Sequence, residues 1–120
     1  MKYKIASLTK NEDFKSLIKG KKINNKYLTI FFKKLSDKNI NKLNISFVTK
    51  RKIGKAVIRN KIKRRLKNLM NEAIKKLDIN LSYSYLFIAK KNIVEDQYEL
   101  IKQNLFKDLK KNKIRNEYNQ

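Results

Sequence analysis

From Ile58 to Leu77 the apolar residues of this chain fall at Ile58, Ile62, Leu66, Leu69, Met70, Ala73, Ile74 and Leu77. Intervals of three, four and seven draw one stripe along an amphipathic helix of about five turns. Asn60, Lys61, Arg64, Asn68, Asn71 and Lys75 fall on the opposite side, and Arg59, Lys63, Arg65 and Lys67 flank the stripe. A helix with a single apolar stripe must lay it on another layer, so the chain is committed to a packed domain and cannot be a basic tail.

The charge on this helix needs its own explanation. Cations crowd the first turns, where they oppose the positive end of the helix dipole. No acidic residue occurs in this helix before Glu72, so intrahelical ion pairs do not account for them. The run just before, KRKIGKA, brings a further basic loop beside the first turn. Across 120 residues there are 32 Lys and Arg against 10 Asp and Glu, a formal net charge of +22. Such a field repels itself in the compact state and is best neutralised by a polyanion.

Nucleic acid and an anionic membrane surface are the two candidates. The membrane fits less well: the stripe contains small Ala73 and looks made for core packing. No apolar run approaches the roughly 20 residues that span a bilayer. The start, MKYKIASLTKNEDF, lacks the apolar core of a signal peptide, so a cytoplasmic protein is expected.

With no Pro, no Cys and only Gly20 and Gly54, the chain has few breakers and no linker, and a single domain over 1–120 is expected. Thr9 and Glu12 have capping-box spacing and Gly20 stands at a C-cap position, which predicts a helix over Thr9–Lys19 with Phe14, Leu17 and Ile18 apolar. YLTIFFKK, Tyr27–Lys34, reads as a strand with Leu28, Ile30 and Phe32 on one face and Tyr27, Thr29 and Phe31 on the other. LNISFVTK, Leu43–Lys50, alternates likewise through Leu43, Ile45 and Phe47, and an antiparallel hairpin of the two runs is expected. YSYLFIAK, Tyr83–Lys90, is a further strand. A last helix from Val94 buries Val94, Tyr98, Ile101, Leu105 and Leu109, with Glu95 and Asp96 at its positive end. The fold class is therefore α+β.

Phe47, Phe87 and Phe106 read as core. Phe14, Tyr27, Phe31 and Phe32 surround the expected hairpin, and a face carrying Tyr27 and Phe31 beside Phe14 can stack unpaired bases, although core packing competes for each of them. Catalysis by the polypeptide is poorly provided for. There is no His and no Cys, and two glycines cannot build a phosphate loop. Glu12 with Asp13, or Glu95 with Asp96, could hold Mg²⁺ as nuclease sites do, but each pair reads more simply as charge complementing a helix start. No catalytic residue, metal ligand or protein-bound cofactor is expected.

The stretch KIGKAVIRNKIKRRLKN, Lys52–Asn68, closely resembles the signature of the protein subunit of bacterial ribonuclease P. LNISFVTKR, the opening LTKNEDF, the YLFIAK strand and the closing helix resemble that family in the same order. The resemblance implies a ribosomal-protein-like sandwich of four strands and three helices. It also implies a short strand near Ala56–Ile58 and a left-handed crossover through the basic helix. It implies a ribonucleoprotein endonuclease for tRNA processing, in which a catalytic RNA carries the active site and its Mg²⁺ and hydrolyses the bond joining the 5′ leader to mature tRNA. The basic protein, one per RNA, would bind that RNA and hold the leader of precursor tRNA.

Residue by residue, Arg59, Asn60, Lys63, Arg64 and Arg65 match the motif facing the catalytic RNA, and Lys52, Gly54 and Lys55 match its basic turn. Lys61 and Lys67 stand where the family has Arg, keeping charge but losing the planar fork. Phe14 and Phe31 match aromatics of the leader cleft, and Ile18 falls where relatives often carry a second cleft aromatic. Composition alone would equally fit a structural rRNA-binding or nucleoid protein without a processing role; the motif argues for ribonuclease P.

Overall fold

The runs that alternate become strands and the striped segment becomes the longest helix. The computed structural model describes residues 4–111. In chain order these form β1 (Lys4–Ser7), α1 (Asn11–Leu17), β2 (Lys21–Asn24), β3 (Leu28–Lys34), β4 (Lys42–Val48), α2 (Ala56–Lys76), β5 (Tyr83–Ala89) and α3 (Tyr98–Lys111). Short 3-10 turns at Arg51–Ile53 and Lys91–Val94 lead into α2 and α3. The five strands make one sheet in the order β1-β4-β5-β3-β2.

The expected hairpin does not form. β5 lies between β3 and β4, antiparallel to the first and parallel to the second. Alternation dictates which face a strand shows to the core and leaves its neighbour open. β5 takes the centre because Ser84, Tyr85, Leu86 and Phe87 are buried in succession, so that both its faces are covered. The parallel β4–β5 pair is bridged by α2, which makes a β-α-β crossover.

Three further expectations change. The sheet has five strands where four were implied, because KIAS and KKIN pair as short edge strands too poor in apolar residues to announce themselves. The strand implied near Ala56–Ile58 is the first turn of α2: the N–H of Arg59 already donates to the carbonyl of Lys55 at 3.0 Å. The capping box is absent, since Lys10 occupies the N-cap of α1 and no side chain caps it. Gly20 lies beyond the C-cap, Ile18, and serves close approach: a Cβ there would sit 2.7 Å from the carbonyl oxygen of Phe32.

α3 begins four residues later than expected, and Val94 is exposed instead of buried. Asp96 is engaged across the fold, accepting a 2.5 Å hydrogen bond from the Tyr27 hydroxyl and facing Lys26 at 3.4 Å. The hydroxyl bond, ahead of the Lys26 charge, holds the Asp96 carboxyl below the usual carboxylate range, and the same bond pushes Tyr27 up.

The main core lies between one face of the sheet and the pair α2 and α3. Leu28, Ile30, Phe32, Leu43, Ile45, Tyr85 and Phe87 meet Leu66, Leu69, Met70 and Ala73 of α2 and Ile101, Leu105 and Leu109 of α3. Ile30, Phe87 and Phe47 form one cross-strand row, with Phe47 and Phe87 edge to face at 5.7 Å. Each fully buried side chain of this size contributes on the order of 1.5–3 kcal/mol. Phe47 and Phe106 are half-buried at the margin of this core, a weaker placement than the sequence suggested.

Candidate RNA interface

The second face of the sheet is only partly covered. Two rows cross it: Lys22, Phe31, Leu86 and Ser46, then Asn24, Thr29, Ile88 and Val48. α1 covers part of this face through Leu17, and a small cluster of Leu8, Leu17 and Leu86 is buried there. Phe14, Phe31, Val48 and Ile88 pack against that cluster while remaining half-exposed, so they line an open aromatic and aliphatic cleft. The Lys22 ammonium stands 5.9 Å from the centre of the Phe31 ring.

Phe14 and Phe31 are thus brought together as expected, and Tyr27 is not. The side-chain oxygen of Asn25 accepts from the N–H groups of Tyr27 and Leu28 at 2.9 and 2.8 Å. That local turn precedes β3 and resets the alternation, so Tyr27 is buried in the main core. Ile18 is 53% exposed just past α1 and is not among the residues packed round Leu86.

At the end where parallel β4 and β5 both finish, the cleft runs into a groove of about 260 Å³ lined by Thr29, Ile88, Ala89 and four lysines, Lys50, Lys52, Lys90 and Lys91. Of these four lysines only Lys52 belongs to the motif legible in the sequence. Lys50 and Lys90–Lys91 are far apart in the chain, and only the parallel pairing of their strands places them together. The Lys90 ammonium also donates to the carbonyl of Asn25 at 2.5 Å, which ties this rim to the start of β3.

α2 starts beside this groove. Lys52, Lys55, Asn60, Lys61, Lys63, Arg64 and Lys67 are exposed, while Arg59 and Arg65 are half-buried. Arg59 turns its Nε onto the carbonyl of Gly54 at 3.2 Å and so braces the basic turn. Gly54 has φ 157°, and an added Cβ would press on Ile58 at 3.2 Å, so glycine is required there. Arg65 is half-buried and lines an apolar hollow with Ile62, Ile93 and Tyr98.

No acidic residue occupies the first turn of α2 and no side chain caps it. The acids that are paired sit elsewhere. Glu72, near the far end of α2, meets Lys102 and Lys76, and these hydrogen bonds, Lys102 first, lower its pKa. Asp13 pairs with Lys38 at 2.8 Å. Among the described residues, positive charge therefore accumulates uncompensated at one end of the helix, on a scaffold fixed by the core beneath it. Among the described residues no three potential ligands (His, Cys, Asp or Glu) converge on a metal position. No described helix is long and apolar enough to cross a membrane. The surface is suited to holding phosphates along α2 and the lysine groove, and unpaired bases in the cleft.

Comparison with known proteins agrees with this geometry. Residues 3–113 match the family model described as Ribonuclease P. The ribonuclease P protein component of Caldanaerobacter subterraneus is 31% identical over 114 residues, covering 92% of this chain and 92% of its own length. That of Clostridium botulinum is 34% identical, covering 91% of this chain and 96% of its own length. Among solved structures, the RNase P protein of Staphylococcus aureus superposes with a TM-score of 0.77 at 24% identity, covering 92% of this chain and 97% of that one. The Thermotoga maritima RNase P protein gives 0.73 at 27% identity, covering 88% and 96%.

Proposed function

The chain belongs to the ribonuclease P protein family, and on that premise we propose how it does its work. It is the protein component of a ribonucleoprotein endoribonuclease, and RNA is its partner. In the proposed arrangement, one protein binds one catalytic RNA through Lys52, Lys55, Asn60, Lys61, Lys63, Arg64 and Lys67. Arg59 holds the basic turn in shape, and Arg65 reaches RNA from the edge of α2. The 5′ leader of precursor tRNA lies single-stranded in the cleft, its bases against Phe14 and Phe31 and its phosphates along Lys50, Lys52, Lys90 and Lys91. We place this work in the cytoplasm.

The observation that carries the reading is the junction itself: a half-open aromatic cleft empties into a lysine groove, and the uncompensated end of a rigid helix begins beside it. Aromatic faces accept any unpaired base, and lysines accept its backbone, so such a surface holds leaders of varied sequence. The Mg²⁺ of the reaction is assigned to the RNA, and no step is routed through a protein-bound ion. The polypeptide binds, orients and neutralises charge.

Reconstitution tests this directly. Protein purified free of nucleic acid is incubated with precursor tRNA and Mg²⁺, with and without ribonuclease P RNA at physiological salt. Leader removal that needs the RNA and is stimulated by the protein is expected. Cleavage by protein alone would make it a nuclease, and no stimulation would return it to the structural rRNA binders.

A further inference from the structure

One side chain in the basic region is unlike its neighbours. Val57, in the first turn of α2, is 78% exposed, the highest value among the large hydrophobic residues described as exposed. Ala56 beside it is exposed as well. Val is a weaker helix former than Lys, Arg or Gln, so helix stability does not favour it at this place. Burial does not favour it either, since among the described residues it is left open.

Its position suggests what does. Val57, Lys61, Arg64 and Asn68 share one face of α2 at intervals of four, three and four, so Val57 heads the exposed cationic row. Lys52 and Lys55 precede it in the turn, and no acidic residue occurs between Asp37 and Glu72. An occupant of this place must therefore be a polyanion with an uncharged surface to offer. RNA has one: its shallow minor groove displays riboses and base edges between two rows of phosphate, and its loops offer unstacked bases. A small branched side chain can seat there while the flanking lysines take the phosphates.

We propose that Val57, with Ala56, packs against a ribose edge or an unstacked base of the partner RNA. This makes a contact that discriminates by shape at the tip of a row that binds by charge. The inference rests on the reading of the chain as an RNA-binding subunit. It separates two kinds of contact on one helix, because burial of Val57 depends on fit and hardly on salt, whereas Lys61 and Arg64 act through counterion release.

The test uses the full chain and Val57→Gln and Val57→Lys variants. Their affinities are measured over a salt series for ribonuclease P RNA and for an unrelated duplex RNA of similar length. Both replacements are good helix formers at an exposed site, and circular dichroism checks that the fold is kept. Both variants should bind ribonuclease P RNA about tenfold more weakly, as loss of a buried Val implies. Val57→Gln should leave the salt slope unchanged, and Val57→Lys should hold the unrelated duplex as tightly as the wild type or tighter.

Tighter binding of both RNAs by Val57→Lys would overturn the inference and leave charge as the whole account. Val57-dependent binding to phosphatidylglycerol vesicles, with RNA affinity indifferent to the substitutions, would overturn it in favour of a membrane. A wild type with no preference for ribonuclease P RNA would sink the functional reading and this inference with it. A preference that survives both substitutions sinks the inference alone.

Discussion

The two faces of the sheet are made from the same strands, and they have opposite fates. One is sealed by α2 and α3 over Phe87, Tyr85, Ile30 and Ile45, all essentially inaccessible. The other is crossed by the seven-residue α1, whose Leu17 is buried with Leu86 but which leaves Phe31, Val48 and Ile88 half-open. The first face is what folding requires. The second keeps apolar surface in reach of solvent beside lysines, at some cost in stability, and such surface is expected where a ligand supplies the missing cover. Alternate residues of single strands thus serve the core and, in the proposed function, the ligand.

That division can be broken by experiment. Phe87→Ala, on the sealed face, should destabilise the domain by about 3–5 kcal/mol in denaturant unfolding; a much smaller loss would mean the core is less tightly packed than described. Phe31→Ala, one strand over on the open face, should cost little stability. It should weaken binding of precursor tRNA by roughly 1–3 kcal/mol while leaving mature tRNA unaffected, if a leader base stacks on the ring. Equal losses for both RNAs would return Phe31 to a structural role.

Along α2 the comparison sharpens between cations. Replacing Lys61 and Arg64 by Ala together should reduce the log–log salt slope for the catalytic RNA by roughly 1.4–1.8, two phosphate contacts' worth. Arg59→Ala should change the slope much less and instead loosen the Gly54 turn that its Nε braces. Equivalent slope changes would show Arg59 on phosphate.

The smallest effect concerns acid. The Asp96 carboxyl is lowered in the folded state, first by the Tyr27 hydroxyl and then by Lys26. Its contribution is therefore full above the usual carboxylate range and is lost as pH falls through the lowered folded value. Glu72, lowered by Lys102 and Lys76, behaves the same way. Tyr27→Phe should make the acid-side loss of stability shallower; an unchanged profile would mean the 2.5 Å contact is not maintained in solution.

What the chain declares locally and what it declares only when folded divide along physical lines. Three-and-four spacing from Ile58 to Leu77 was enough for α2, because that period is a property of neighbours on one helix. Excess charge without local acids, and the stretch KIGKAVIRNKIKRRLKN, were enough for the partner and the family. Strand neighbours were not legible, since alternation is equally satisfied whichever strand lies alongside; the pairing was settled by β5 being able to bury both faces.

The lysine groove was invisible for the same reason. Lys50 and Lys90–Lys91 meet only because β4 and β5 run parallel and end together. Tyr27 joins the main core, against the strand alternation, because a hydrogen-bonded turn at Asn25 interrupts that alternation just before β3. By itself, then, the sequence determined the helix, its charge and its kinship, all short-range or compositional properties. Only the tertiary structure decided which aromatics stay open and which cations converge, because those depend on contacts between segments distant in the chain.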